Sequence, residues 1–324
     1  MDSLINQFNA ACKEGNLEQV KDLIKNTNLD INIQNNDGET GFHLACQYGH
    51  LAIVEYCIKN TNINVNIQNN RGETGFHLAC HYNHLAILEY CIKNTNLDIN
   101  IQNNDGDTVF HLACIYDWLA IVEYCIKNTN LDINIQDTEG GTGFHCACIN
   151  GHLAIIKILI KDARLNLNIQ DKYGWTGFHL ACQEGNLEIV EYCIKNTNLD
   201  LNIQNNYGNT AFHLACSKGH LAIIKILIKD ARLNLNIQNK YGWTAFHYAC
   251  YTGNNNLISL FLNSNRKINL NINSTKGTTG YNILKSKNIN LDVIKEKISK
   301  KEQLIFYAAD GNLLEVKKLL KLKK

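Results

Sequence analysis

The sequence predicts a mainly α-helical solenoid of helix pairs with β-hairpin fingers, about ten units long and forming a single elongated domain. Two observations carry that reading. The first is repetition at a fixed step. The stretch TGFHLAC at Thr40–Cys46 returns at Thr74–Cys80 and Thr176–Cys182, and looser copies start at Thr108, Thr142, Thr210 and Thr244. Their histidines, His43, His77, His111, His145, His179, His213 and His247, follow one another every 34 residues, the kind of period that marks a repeat architecture. The second is a change of hydrophobic period inside each unit, from helical to alternating.

One unit, Asn35 to Gln68, reads NNDGETGFHLACQYGHLAIVEYCIKNTNINVNIQ. Asp37-Gly38 places glycine where a tight turn needs positive φ. Thr40 is positioned to cap a short first helix through Phe42, Leu44, Ala45 and Cys46. Gly49 ends that helix as a left-handed residue, and Asn83, which tolerates the same conformation, replaces it in the next unit. A second helix is predicted over Leu51–Lys59, with Leu51, Val54, Cys57 and Ile58 on one stripe and Glu55 and Lys59 paired on the outward side. Ile63, Val65 and Ile67 then alternate with Asn, as in an extended, half-buried segment. On this register residues 1–34 form an N-terminal cap. Seven full units follow at 35–68, 69–102, 103–136, 137–170, 171–204, 205–238 and 239–272, then a degenerate unit at 273–300 and a capping half-unit at 301–324. Solenoids need atypical, more polar ends of this kind.

Several of these pieces together resemble the ankyrin-repeat family. They are the G-x-T-x-[FL]-H-x-A core, the Gly-His pairs at Gly49-His50, Gly151-His152 and Gly219-His220, and Ile53-Val54. The D-[IL]-N tails at Asp30–Asn32, Asp98–Asn100, Asp132–Asn134 and Asp200–Asn202 match as well. Tetratricopeptide repeats share the period, but their Trp-Leu-Gly-Tyr pattern is not found here. The resemblance covers nearly the whole chain, with one extra residue per unit in the NTNLDIN or DARLNLN loop. It implies that the T-x-x-H histidine is structural. It also implies that the hairpin tips, the residue after the hairpin glycine and the late first-helix positions line a concave, partner-facing surface. One departure stands out: the proline that follows the threonine in the family is Gly41, Gly75, Val109, Gly143, Gly177, Ala211 and Ala245 here. Proline at the first helical position is pre-organised and glycine loses the most chain entropy, so Gly75→Pro or Gly177→Pro is expected to raise thermal stability.

A histidine three residues before a cysteine stacks two potential metal ligands on one helix face. A metal needs three or four ligands at about 2.0–2.3 Å, whereas one helix supplies two and packed helices lie about 8–10 Å apart. Threonine at N-cap with histidine at N3 is instead the layout of a capping box, and the cysteine behaves as a small buried hydrophobe. No metal and no cofactor are expected. No G-x-x-x-x-G-K-[ST] occurs, and no non-repeating nucleophile stands with an acid–base partner, so the chain is not expected to be an enzyme.

The residues that vary between units divide by chemistry. Early fingers are acidic, with Asp37, Glu39, Glu73, Asp105, Asp107 and Glu139, and Arg71 as the exception. Later fingers are aromatic, with Tyr173, Trp175, Tyr207, Tyr241 and Trp243, joined by Tyr251 late in a first helix. Exposed Tyr and Trp are enriched at interface hot spots. Two readings stand: the rings grip a protein partner of unknown identity whose basic portion faces the acids, or they cover the hairpins' apolar sides and the acids are solvated tips. Trp118, in IYDWLAIVEY, breaks the Gly-His pattern and is expected to fill a slot between helices.

The bulk properties fit a non-catalytic protein–protein interaction scaffold, expected to be a monomer. Net charge is +1, which gives no global attraction to nucleic acid or acidic lipid. The alternative, nucleic-acid or membrane association, would use the Lys-rich end: residues 285–324 hold 11 Lys against 5 acids. Lysines at a helix carboxyl end also simply complement its dipole. No stretch approaches the ~20 apolar residues of a membrane span, and MDSLINQFNA has no secretory pattern. Thirteen cysteines, an odd number, read as reduced thiols in a cytoplasm. Proline is absent while Asn, Ile and Lys abound, the signature of an AT-rich genome. Arrays of protists, giant viruses and intracellular bacteria resemble this, which would make the compartment a host cytoplasm.

Overall fold

A computed structural model of the chain describes residues 2–264, 266 and 268–286. The half-unit at 301–324, half of the degenerate unit and nearly all of the Lys-rich end lie outside the described residues. Two compact units divide the chain, 1–172 and 173–324, where the sequence predicts one domain.

Helix pairs build both units. In the first, the leading helices are Asp2–Glu14, Gly41–Gln47, Gly75–His81, Val109–Ile115 and Gly143–Asn150. Each is followed by a second helix: Leu17–Asn26, Leu51–Asn60, Leu85–Asn94, Leu119–Asn128 and Leu153–Leu159. In the second unit Gly177–Glu184, Ala211–Lys218, Ala245–Thr252 and Gly280–Ser286 lead, and Leu187–Asn196, Leu221–Leu227 and Asn255–Leu262 follow the first three. The turn between paired helices is set by a left-handed residue. Gly49 has φ +78°, and Asn83 and Asp117 hold the same conformation at +59° and +62°, a place where short polar side chains are tolerated.

The core repeats with the sequence. Phe42, Phe76, Phe110, Phe144 and Phe212 are buried, as are Cys46, Cys80, Cys114, Cys148 and Cys216 one turn later. The Phe42 and Phe76 rings meet edge to face, with centroids 6.1 Å apart. Fully burying one such side chain stabilises by about 1.5–3 kcal/mol. On the second helix the buried stripe is Ile53, Val54 and Cys57, while Leu51 and Ile58 are half-buried. The Glu55–Lys59 pair forms at 3.3 Å.

Local geometry departs from the sequence expectations at three places. Among the described residues the fingers contain no β-strand. Each finger closes on itself through one short pair, Asn35 N–H to the Glu39 carbonyl at 2.8 Å and Gly38 N–H to the Asn35 carbonyl at 2.9 Å. It then reaches the previous finger through a single backbone bond, Asn70 N–H to the Asp37 carbonyl at 3.0 Å, so no ladder can start. The Ile63–Ile67 segment likewise turns instead of extending, because the Asn64 side chain accepts from the Asn66 N–H at 3.1 Å.

The third departure concerns Gly75. A Cβ there would stand 2.9 Å from the Phe42 ring and 3.0 Å from the Cys46 Sγ, and at Gly41 it would stand 2.4 Å from the Phe8 ring. Phenylalanine and cysteine of one first helix therefore fill the volume into which a proline on the next would project. Val109, Ala211 and Ala245 show that a buried side chain can be housed at this position, but a proline ring adds further carbons in a fixed orientation. Gly75→Pro is thus expected to lower the melting temperature, with overpacking costing about 1–3 kcal/mol. Combining it with Phe42→Leu should recover part of that loss, and thermal unfolding of the single and double variants checks both.

Candidate functional site

Seven threonines, from Thr40 to Thr244, each form a reciprocal capping box with the histidine three residues on. In the first of these the Thr40 N–H donates to His43 Nδ1 at 3.1 Å, and the threonine hydroxyl lies 2.8 Å from the same nitrogen. With Nδ1 accepting, the ring proton sits on Nε2. From His43 that proton is donated to the Glu73 carbonyl of the next repeat at 3.2 Å, and from His77 to the Asp107 carbonyl at 3.1 Å. In the second unit His213 reaches the Ile237 and Trp243 carbonyls, and His247 the Thr278 carbonyl. The imidazole thus caps its own helix and holds the next finger. No three His, Cys, Asp or Glu side chains converge as a metal site among the described residues.

A second histidine series points backward. His50, His84, His152 and His220 each bond a carbonyl 37 residues earlier, at 2.8–3.1 Å. Residues 103–136 interrupt both series. Trp118 occupies the backward position and stacks on Tyr116 as His50 does on Tyr48, yet its buried Nε1–H has no partner among the described residues, and neither does His111 Nε2. Trp118 is half-buried at the start of the Leu119–Asn128 helix.

Side chains that the sequence reading passed over fix the fingers in place. Gln34 Nε2 donates to the Gly38 carbonyl of its own turn at 2.6 Å and to the Gln68 carbonyl of the next repeat at 2.8 Å. Gln68, Gln102, Gln136, Gln204 and Gln238 repeat both bonds. The only signal in the sequence is the invariant glutamine in NIQ. Successive tips are therefore held beside one another by single backbone bonds, as Asn104 N–H to Arg71 and Thr138 N–H to Asp105 show in the first unit. Asn206 N–H to Tyr173 and Lys240 N–H to Tyr207 do the same in the second.

In the first unit this brings Asp37, Arg71, Asp105 and Glu139 into one row of exposed tips. Glu39, Glu73 and Asp107, two residues on, are half-buried instead. Glu73 turns inward, where Arg71 lies 3.2 Å away and Asn69 donates at 3.2 Å. Glu139 pairs with Lys172 at 3.3 Å. Burial, then Asp137 and Asp105, pushes the Asp107 carboxyl up to about 6. Asp137 was not singled out from the sequence, although it stands where Asn35, Asn69 and Asn103 stand in earlier units.

In the second unit the row is Tyr173, Tyr207 and Tyr241, 49–60% exposed, with Tyr251 at 56% nearby. Trp175 and Trp243 are half-buried. Trp243 leans on its own first helix, 5.0 Å from the Tyr248 ring and 5.5 Å from the Tyr251 ring. It both covers the hairpin and walls a cleft of about 430 Å³, lined also by Tyr241, Tyr248, Tyr251 and Lys276. Tyr248, which replaces the usual leucine, and Lys276, on a degenerate finger, carried no pattern by which the sequence could mark them.

Family models for ankyrin repeats match residues 8–103, 91–171 and 164–239, and a single-repeat model matches 241–272. The chain belongs to the ankyrin-repeat family. Ankyrin repeats are in general protein–protein interaction modules, and ankyrin-repeat proteins are typically non-catalytic. No curated protein matches the chain. No helix among the described residues is long and apolar enough to cross a membrane.

The ankyrin capping geometry has a pH consequence. Burial lowers the pKa of His43, His111 and His247, and takes His77 and His213 to about 4. An unfolded chain takes up protons on these rings near pH 6.5, whereas the folded one does so only at lower pH, near 4 for His77 and His213. Their contribution is therefore full above pH 6.5 and is lost as pH falls below it, down to about 4 for His77 and His213, by at most about 1.4 kcal/mol per pH unit for each ring. Asp107 runs the opposite way over about pH 6 to 4, as one group against five. Urea unfolding at pH 7.5, 6, 5 and 4.5 should show the midpoint falling steadily below 6.5.

Proposed function

We propose that this chain is a non-catalytic interaction scaffold that holds a protein partner along its finger tips and first helices. The observation that carries the reading is the row of tyrosines at Tyr173, Tyr207 and Tyr241: three large apolar side chains, each about half exposed or more, presented in register by a hydrogen-bonded frame. Aromatic rings held in this way bring contact area at low entropic cost. Trp175, Trp243 and Tyr251 extend the same surface in the second unit. In the first unit Asp37 and Asp105, with Glu39, Glu73, Asp107, Glu139 and Arg71 around them, suit a basic portion of a partner. All thirteen cysteines are free and twelve are buried, which supports a reducing, cytoplasm-like compartment for the partner too. The histidines from His43 to His247 serve the frame and not the contact. The Lys-rich end that would carry nucleic-acid or membrane binding lies outside the described residues.

A site-specific photo-crosslinker tests this. Placed at Tyr207, it should trap a discrete protein partner in cytosol. Placed at Lys225, exposed on a second helix, it should trap none. Equal labelling from both positions, or none from Tyr207, would sink the proposed surface.

A further inference from the structure

We propose that the cleft beside Tyr241 and Trp243 is a side-chain pocket that anchors an aromatic residue flanked by carboxylates on the partner protein. The inference rests on the interaction reading above and deepens it.

Volume comes first: about 430 Å³ is within the range of pockets that enclose a ligand group, about 300–1,000 Å³. The walls are aromatic. Trp243 stands edge-on to Tyr248 at 66° and tilted to Tyr251 at 59°, so the box exists before anything enters it. Four of its hydroxyls, those of Ser217, Tyr248, Thr252 and Thr275, are already engaged. Tyr248 Oη accepts from Asn239 Nδ2 at 3.1 Å and donates to Asn209 Oδ1 at 3.4 Å. Thr252 and Thr275 donate to the Ala249 and Tyr241 carbonyls. An occupant therefore meets ring faces and edges, which suit a flat apolar group, and one charged group, the Lys276 ammonium at the rim.

The surrounding charge selects the flanks. Residues 205–286 contain seven lysines and two arginines against a single acid, Asp230. That acid is bound by Arg232 at 2.7 Å. Lys218, Lys240 and Lys276 are exposed on the first helix, the finger and the next finger that surround the cleft. Carboxylates beside the anchor are attracted to this field and basic residues are repelled. A cationic anchor is disfavoured for the same reason, despite the aromatic box. Stacked nucleotide bases with phosphates on the lysines are the competing chemistry. The threonine and Tyr248 hydroxyls are engaged and so are not spare for a base edge, which favours the peptide.

A random peptide library displayed on phage, selected against the full chain, tests the assignment. Exposed residues are substituted so that folding is preserved: Tyr241→Ala removes a wall, and Lys276→Glu reverses the rim. Selection should enrich peptides with Phe, Tyr or Trp next to Asp or Glu. Each substitution should weaken binding of a selected peptide by about tenfold, the effect of a hot-spot residue, and Lys276→Glu should shift selection toward basic flanks. Enriched peptides that ignore both substitutions overturn the pocket while leaving the interaction reading intact. Absence of any enrichment overturns the pocket too, and the interaction reading then stands or falls with the cross-linking experiment. A decathymidylate that binds more tightly than the selected peptides, and loses binding with Lys276→Glu, overturns it in favour of nucleic acid.

Discussion

A buried imidazole bonded at both ends is the constraint on which the rest of this structure depends. Its Nδ1 accepts from the threonine that starts its own helix, and in the second unit as in the first its Nε2–H reaches a carbonyl in the following repeat. Leaving an end open, as at His111 Nε2, costs about 1–3 kcal/mol for a buried polar atom without a partner. A 34-residue step follows directly, since the next finger must return to the same ring. Phenylalanine and cysteine pack behind the histidine, and the glutamine of NIQ fastens the finger from its other side. Removing the histidine would release the helix start and the neighbouring turn together.

The frame consumes the same residues in every repeat, and the proposed recognition surface uses the side chains it leaves over. These are the tips, the residue after each finger glycine and the late first-helix positions. Single backbone bonds between successive fingers set such side chains in rows without committing them to a sheet. The rows differ: charged in residues 1–172, aromatic in residues 173–286. A half-buried ring such as Trp243 serves both purposes, packing on its own helix and walling the cleft. Covering the hairpin is therefore compatible with lining the cleft at this position.

The frame was largely legible in the sequence because its signals are local. Thr40 and His43 are three residues apart, and Asn83 replaces a glycine at a turn, so capping and turn chemistry could be read without knowing any neighbour. What escaped depends on contacts a repeat away. Gly75 looked like a missed proline until Phe42 and Cys46 proved to occupy the space. The fingers looked like hairpins because Asp-Gly turns suggest them, yet each makes too few backbone bonds for a strand. Gln34 bonds its own turn and the next repeat, and nothing in its residue type announces that. Asp37, Tyr207 and Tyr241 were found by their variation between units. Tyr248 and Lys276 were not, because a single substitution and a degenerate finger carry no period. Trp118 was recognised as an anomaly, but the loss of its backward hydrogen bond shows only in the structure.

The most direct test is nitrogen-15 NMR of imidazole rings in histidine-labelled protein, titrated from pH 7.5 to 5. The account predicts that His43, His77, His213 and His247 protonate below the free imidazole value, His77 and His213 staying neutral through pH 5, with the proton on Nε2 and Nδ1 as acceptor. Rings that protonate near pH 6.5, or that carry the proton on Nδ1, would contradict it, because the capping bond and the link to the next repeat could not then coexist.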